Sequence, residues 1–286
     1  MDYCWSKGMK LSCLPVSYFK EIMGGKKTIK EWAKEAREIG FDFIDLSILF
    51  LRNKTYGYLK TIRNDLDETG IQVAIINTYP DFTHPAEIER KKQMDQFKKD
   101  IIMSSMVGAK IVRITAGQAY PNISRKQGVA WVVENIIEAI KIGHDNGIEI
   151  VFENHSKPGI WDYFDFSHPS DIFLEIVNII TKIKKIRMGI LFDTANPLVI
   201  GEDPLMILEK IIDKVVCIHA ADIGTIGQLN PVTIGTGKVP FESIFKLLKK
   251  SGFNGLISIE EASCKGRESI EFAEKFIRQK WESILI

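Results

Sequence analysis

The chain is most informative first for what it lacks. Its four cysteines, Cys4, Cys13, Cys217 and Cys264, form no CxxC pair, which excludes a zinc ribbon and a dithiol redox centre. Unpaired thiols in a chain of 286 residues fit a reducing, cytoplasmic setting. No uninterrupted apolar run approaches the roughly 20 residues that span a bilayer. Lys7 and Lys10 break up the opening residues, so neither a membrane span nor a signal peptide is expected. A formal net charge of +1 offers no field to hold nucleic acid or an anionic membrane. There are five histidines, His84, His144, His155, His168 and His219, and they are scattered. No glycine-rich phosphate turn follows the first strand-like run, where Cys13-Leu14-Pro15-Val16 stands instead. That absence argues against a doubly wound nucleotide-binding sheet. No low-complexity segment or polar linker divides the chain.

What is there is an alternation. Eight short β-like runs recur at 10–14, 42–47, 71–77, 110–115, 148–153, 187–193, 215–219 and 256–260, with helical periodicity between them. Thr28 to Glu31 and Ser124 to Gln127 read as capping boxes, and Ile29, Trp32, Ala33 and Ala36 make one apolar helix stripe. Pro204 and Pro240 sit where first-turn prolines belong. Gly40, Gly70, Gly147 and Gly252 each end a helical pattern just before a strand, a repeated helix-to-strand joint. Eight β-α alternations over 286 residues predict an α/β fold, a single (β/α)8 TIM barrel occupying residues 1–286.

Four of the runs in the second half end in a potential metal ligand: Glu153, Asp193, His219 and Glu260. Parallel strands in a barrel bring their carboxyl ends to one rim, where such folds place their chemistry. Three carboxylates and one imidazole suit a hard divalent ion, Mn, Mg or Co, with Zn as the alternative. Each residue also has a plainer role open to it. Glu153 could pair with a surface lysine, Asp193 could cap a helix, and His219 could be a satisfied core residue. Only one of Glu260 and Glu261 can point inward, and the phase of the strand alone leaves that choice open.

These residues resemble the xylose isomerase-like barrel superfamily, in its sugar phosphate isomerase/epimerase branch. The resemblance runs over nearly the whole chain. It is sharpest at Glu153-Asn154-His155, Asp193-Thr194-Ala195-Asn196, His219-Ala220-Ala221-Asp222, Gly235-Thr236-Gly237 with Pro240-Phe241, and Ser258-Ile259-Glu260. It implies that Glu153, Asp193, His219 and Glu260 bind one divalent metal, with Glu260 favoured over Glu261. It implies an isomerase or epimerase acting on a sugar, sugar phosphate or related polyol. The metal would stabilise an enediolate oxygen, and Glu153 and Glu260 would be the acid–base pair. Proteins resembling this one often pair into homo-oligomers.

The departures matter equally. Ketose 3-epimerases that resemble this chain carry a histidine where Asn196 stands, an arginine where Thr225 stands and a second glutamate where Gly159 stands. A simple ketohexose substrate is therefore not expected. A lyase or dehydratase on an oxo-sugar or keto-polyol is the main alternative. Apurinic-site endonucleases share the superfamily but need three metals and additional histidines, which the chain does not supply. A sugar-binding barrel without catalysis is the remaining option. The expected partner is a small carbohydrate, not nucleic acid or membrane. Candidate substrate contacts are His155 and Arg113 for hydroxyls or an oxyanion, Asn196, Asp222 (also placed to orient an imidazole), Trp161 in an aromatic loop at 156–171, and Lys238 beside Gly235 and Gly237.

Overall fold

The computed structural model describes residues 8–157, 159, 161–183 and 186–285. Its strands are β1 (Lys10–Leu14), β2 (Phe43–Ser47), β3 (Gln72–Asn77), β4 (Ile111–Ile114), β5 (Glu149–Glu153), β6 (Gly189–Asp193), β7 (Val215–Ala220) and β8 (Leu256–Glu260). The helices are α1 (Phe19–Gly24), α2 (Ile29–Ile39), α3 (Tyr56–Thr69), α4 (Glu87–Met106), α5 (Arg125–Asp145), α6 (Ser170–Thr181), α7 (Asn196–Val199), α8 (Pro204–Ile211), α9 (Phe241–Lys250) and α10 (Arg267–Glu282). The eight strands form one parallel sheet in the order β1-β8-β7-β6-β5-β4-β3-β2. This is the (β/α)8 barrel that the alternation predicts.

The β1–β2 seam closes the ring by a side chain as well as by backbone. Asp42 N–H donates to Leu11 C=O at 3.0 Å, and Leu11 N–H donates to the Asp42 carboxylate at 3.0 Å. Lys10 pairs with the same carboxylate.

Both capping boxes form as the sequence predicts, Thr28 with Glu31 and Ser124 with Gln127. Ile29, Trp32, Ala33 and Ala36 are all buried on α2. Gly40 and Gly70 close α2 and α3 with φ of 112° and 68°, a left-handed turn that costs a glycine little and lets the chain reverse straight into a strand. Pro204 opens α8, whereas Pro240 stands one residue ahead of α9. Among the described residues no helix is long and apolar enough to cross a membrane.

Two apolar layers result. Outside the sheet, strand and helix side chains pack into the main core. Inside the barrel, Ile75, Ile111, Val151, Leu191, Cys217 and Leu256 form a separate plug, and Ala74, next to Ile75 in the chain, packs with them. Strand side chains alternate between faces, so the residues two further along face the same interior, one layer up. Those positions are Asn77, Arg113, Glu153, Asp193, His219 and Ser258, and all are buried. A hydrophobic floor therefore lies beneath a polar layer at the carboxyl ends of the strands.

Candidate metal centre

Glu153, Asp193, His219 and Glu260 each offer a ligand atom, and these atoms lie within 4.8 Å of one another. Register places Asp193 opposite His219. On β8, Leu256 and Ser258 face the interior, so the alternation carries Glu260 inward as well. Glu261 turns away: its carboxylate accepts from Ser17 Oγ and from Ser263 N–H. The phase of β8 could have decided between them once Leu256 was placed in the plug.

The chain holds Asp193 from behind. Asn154 Oδ1 accepts from Asp193 N–H at 2.7 Å, and Asn154 Nδ2 donates to Asp193 C=O at 3.0 Å. Asp193 Oδ1 accepts the N–H groups of Ala195 and Asn196, both at 2.7 Å. One carboxylate oxygen thus orders the turn into α7, and the other, Oδ2, faces the cluster. His219 Nδ1 lies 2.8 Å from Glu153 Oε1. Arg113 Nε lies 3.0 Å from Glu153 Oε2, but its N–H is directed at Asn77 Oδ1, also at 3.0 Å. Arg113 donates further to Thr78 C=O and lies over the Tyr79 ring.

The electrostatics follow from burial and neighbours. Burial alone would raise the Glu153 carboxyl, but Arg113 and His219 outweigh it and hold Glu153 well below the usual carboxylate range. Asp193 goes the other way. Burial, with the Glu260 and Glu153 charges, raises it to about 7 against the pull of Lys157. Burial would lower His219, and Glu153 more than reverses that. Burial would raise Glu260, and Lys157 and His219 bring it below its ordinary value.

The donor set fits a divalent cation. Glu153 Oε2, Asp193 Oδ2 and His219 Nε2 are buried with no aligned hydrogen-bond partner, a costly arrangement for polar atoms unless a charge meets them. Three carboxylates with one imidazole match an oxygen-preferring ion better than a thiolate-seeking one. Among the described residues this is the one grouping of three or more such side chains.

The other sequence-expected residues divide. Arg113 belongs to the cluster through Glu153. His155 is buried beside it, with Nδ1 3.7 Å from Asp165 and its ring 6.1 Å from that of Trp161, edge-on. Asn196 accepts from Ser156 Oγ at 2.6 Å and donates to Asn154 C=O at 3.0 Å, so it stitches two loops together. Asp222 does not orient the imidazole. Its carboxylate accepts backbone N–H groups from Ile223, Gly235, Gly237 and Val239, and so folds the loop after β7. Gly237 has no room for a Cβ there, because one would come within 2.3 Å of that carboxylate. Lys238 is exposed on this loop and stands outside the cluster.

Of the aromatic loop at 156–171, positions 158 and 160 lie outside the described residues. The rest packs largely on itself. Phe164 stacks on His168, Tyr163 meets Tyr120, and Phe166 presses its ring onto Gly128.

Sequence reasoning missed Lys157, whose Nζ lies 2.8 Å from Glu260 Oε2 and 3.9 Å from Asp193 Oδ2. Burial opposes its charge, but Glu260 and Asp193 raise its pKa and keep it an ammonium. Glu153, His155 and Lys157 are alternate residues, but β5 ends at Glu153, so strand alternation does not place Lys157.

Comparison with known proteins matches residues 33–279 to the xylose isomerase-like TIM barrel. The chain belongs to this family. Among curated relatives, an inosose dehydratase of Clostridium beijerinckii is 22% identical over 307 aligned positions, covering 95% of this chain and 97% of the relative. Among solved structures, the IOLI protein with a bound zinc atom superposes with a TM-score of 0.78 at 18% identity, over 97% of this chain and 99% of the other. D-psicose 3-epimerase of Clostridium cellulolyticum H10 gives a TM-score of 0.76 at 13% identity, over 96% and 99%. At such identities the structural likeness carries the fold alone.

Proposed function

We propose that the chain is a divalent-metal-dependent enzyme that removes a proton beside the carbonyl of a sugar, sugar derivative or polyol, and returns one as an isomerase or epimerase. The observation that carries this reading is the convergence of Glu153, Asp193, His219 and Glu260 above the barrel plug. These four would hold the ion, with Mn, Mg or Co preferred and Zn as the alternative. When bound, the ion supplies Lewis-acid stabilisation of negative charge on substrate oxygens.

The remaining chemistry belongs to the chain. Glu153 is held ionised by Arg113 and His219, so it carries no proton at neutral pH and is open to receive one, although the same neighbours make it a weaker base. Glu260 is the more exposed partner, with 11% of its side chain accessible, and is the natural group to exchange that proton with substrate or solvent. Arg113 acts on Glu153 as a neighbouring positive charge that keeps it ionised. His155 and the half-buried Trp161 are the substrate-facing candidates at the mouth. Asn196 and Asp222 shape the loops that surround it, and Lys238 sits on the outer edge of the second of these.

A second reading keeps the same proton abstraction and ends in elimination. The proton beside the carbonyl leaves to the carboxylate. The electron pair forms a new C=C bond, and the β-hydroxyl departs with a proton as water. End-to-end likeness to proteins named inosose dehydratase favours this ending.

Both readings are tested in one assay. A panel of ketoses, ketose phosphates, inososes and oxo-sugars is incubated with Mn-loaded protein in deuterated water and read by proton NMR. Deuterium at the carbon beside the carbonyl with a rearranged product supports an isomerase or epimerase. Loss of water supports a dehydratase. Turnover of any of these substrates without label from solvent contradicts the proton-transfer reading.

A further inference from the structure

The metal-ligand side chains already face a cation that belongs to the chain. Lys157 Nζ reaches Glu260 Oε2 at 2.8 Å and Asp193 Oδ2 at 3.9 Å. Both carboxylates belong to the cluster whose ligand atoms lie within 4.8 Å of one another. The cluster's negative charge is thereby divided between two cationic side chains. Arg113 serves Glu153 from β4, and Lys157 serves Glu260 and Asp193 from the loop after β5.

The two cations are not equivalent. Arg113 is fixed within a strand by bonds to Asn77 and Thr78. Lys157 is a compact charge on a flexible four-carbon stem, carried by a connecting loop. Asp193 Oδ2, the oxygen nearest to it on that residue, has no hydrogen-bond partner. A divalent ion held by the same oxygens would face the ammonium across a few ångströms of water-poor interior, where like charges repel strongly. The strand-borne ligands cannot move apart to relieve this. The loop-borne lysine can.

We propose that Lys157 is an intrachain competitor for the metal, its ammonium exchanging with the divalent ion at the oxygens of Glu260 and Asp193. The proposal rests on the reading of the four side chains as a metal centre. Loading the ion is then a cation exchange. Asn154 and Ser156 stay pinned to Asp193 and Asn196, so the displaced ammonium swings aside on its own flexible stem and stays tethered at the rim. Lys157 thus sets how tightly the ion is held. A lysine that merely supported Glu260 from outside the coordination sphere would behave oppositely, because removing it would loosen a ligand and weaken binding.

The experiment titrates Mn into the full chain after chelator treatment, for wild type, Lys157→Met and Lys157→Arg. Free Mn is followed by electron paramagnetic resonance. The expected result is that Lys157→Met binds Mn about tenfold or more tightly, as removal of one nearby like charge implies, while Lys157→Arg stays within a few-fold of wild type. In parallel, wild-type protein is acetylated with an amine-reactive reagent, with chelator and with saturating Mn, and peptides are quantified by mass spectrometry against the exposed Lys238. Lys157 should be modified several-fold faster with Mn. This second arm needs no variant and stands if Lys157→Met fails to fold. Equal or weaker Mn binding by a folded Lys157→Met, or labelling of Lys157 indifferent to Mn, overturns the proposal. Mn binding by wild type that the substitution leaves unchanged removes this inference and spares the metal centre. Absence of Mn binding in wild type and both variants removes both.

Discussion

Asn154 clasps the backbone of Asp193 at both its N–H and its C=O, at 2.7 Å and 3.0 Å. The bond pair extends the contact between β5 and β6 past the last ladder residues and fixes the height of the Asp193 carboxylate. It also places Glu153 and Asp193 in a set relation, because Asn154 directly follows Glu153. Asn154→Ala leaves two buried backbone groups without partners, at roughly 1–3 kcal/mol each. The expected outcome is a lower urea midpoint together with weaker Mn binding, read by denaturant titration and by metal titration. Loss of stability with unchanged metal affinity would show that the clasp serves the fold alone.

Much of this site is legible in the sequence, and the reason is periodicity. Glu153 and Asp193 end their strands and His219 stands one residue before the end of β7, and the preceding inward residue is apolar in each, Val151, Leu191 and Cys217, so a simple alternation points them at the barrel mouth. Gly40 and Gly70 mark helix ends because their backbone conformation selects glycine. What escapes is whatever depends on loop geometry. Asp222 lies three residues past His219 and looks placed to orient it. The four backbone N–H groups that claim it come from the loop folding back, which no spacing announces. Lys157 was missed because a lysine in a loop is ordinarily solvated, and its burial is a consequence of three carboxylates converging nearby.

Asp45 gives a prediction about pH. Its buried carboxylate accepts from Ser12 at 2.6 Å, from Ser258, and from Ile75 N–H at 3.0 Å. Burial raises its pKa above the ordinary aspartate value. The folded state therefore holds a proton that the unfolded chain releases sooner. That contribution to stability is full below the unfolded pKa and is lost as pH rises through the folded value. Asp45→Asn lacks it. The melting temperature of the variant minus that of wild type should become more positive as pH rises from about 4 to about 7. A difference that does not vary with pH would contradict the assignment.

Glu153→Gln and Glu260→Gln test the acid–base pair. Each should slow solvent-proton exchange by roughly the 10²–10⁴-fold typical of losing a general acid or base. Metal content measured on the same samples separates lost chemistry from a lost ion. Full-rate exchange in either metal-loaded variant would remove that residue from the pair.

Cleavage of DNA at abasic sites is not expected. The chain carries a net charge of +1, and the metal-ligand grouping holds one histidine. An abasic duplex incubated with the protein and Zn or Mn should remain intact on a denaturing gel. Nicking that depends on metal and disappears in His219→Ala would reverse the ranking of functions.

The central claim is that Glu153, Asp193, His219 and Glu260 hold one divalent ion. Crystals soaked in Mn and measured at the Mn absorption edge test it most directly. The account predicts a single strong anomalous peak per chain, lying among these four side chains, and its loss in Asp193→Ala and His219→Ala. No peak there, or an equal peak in both variants, would contradict it.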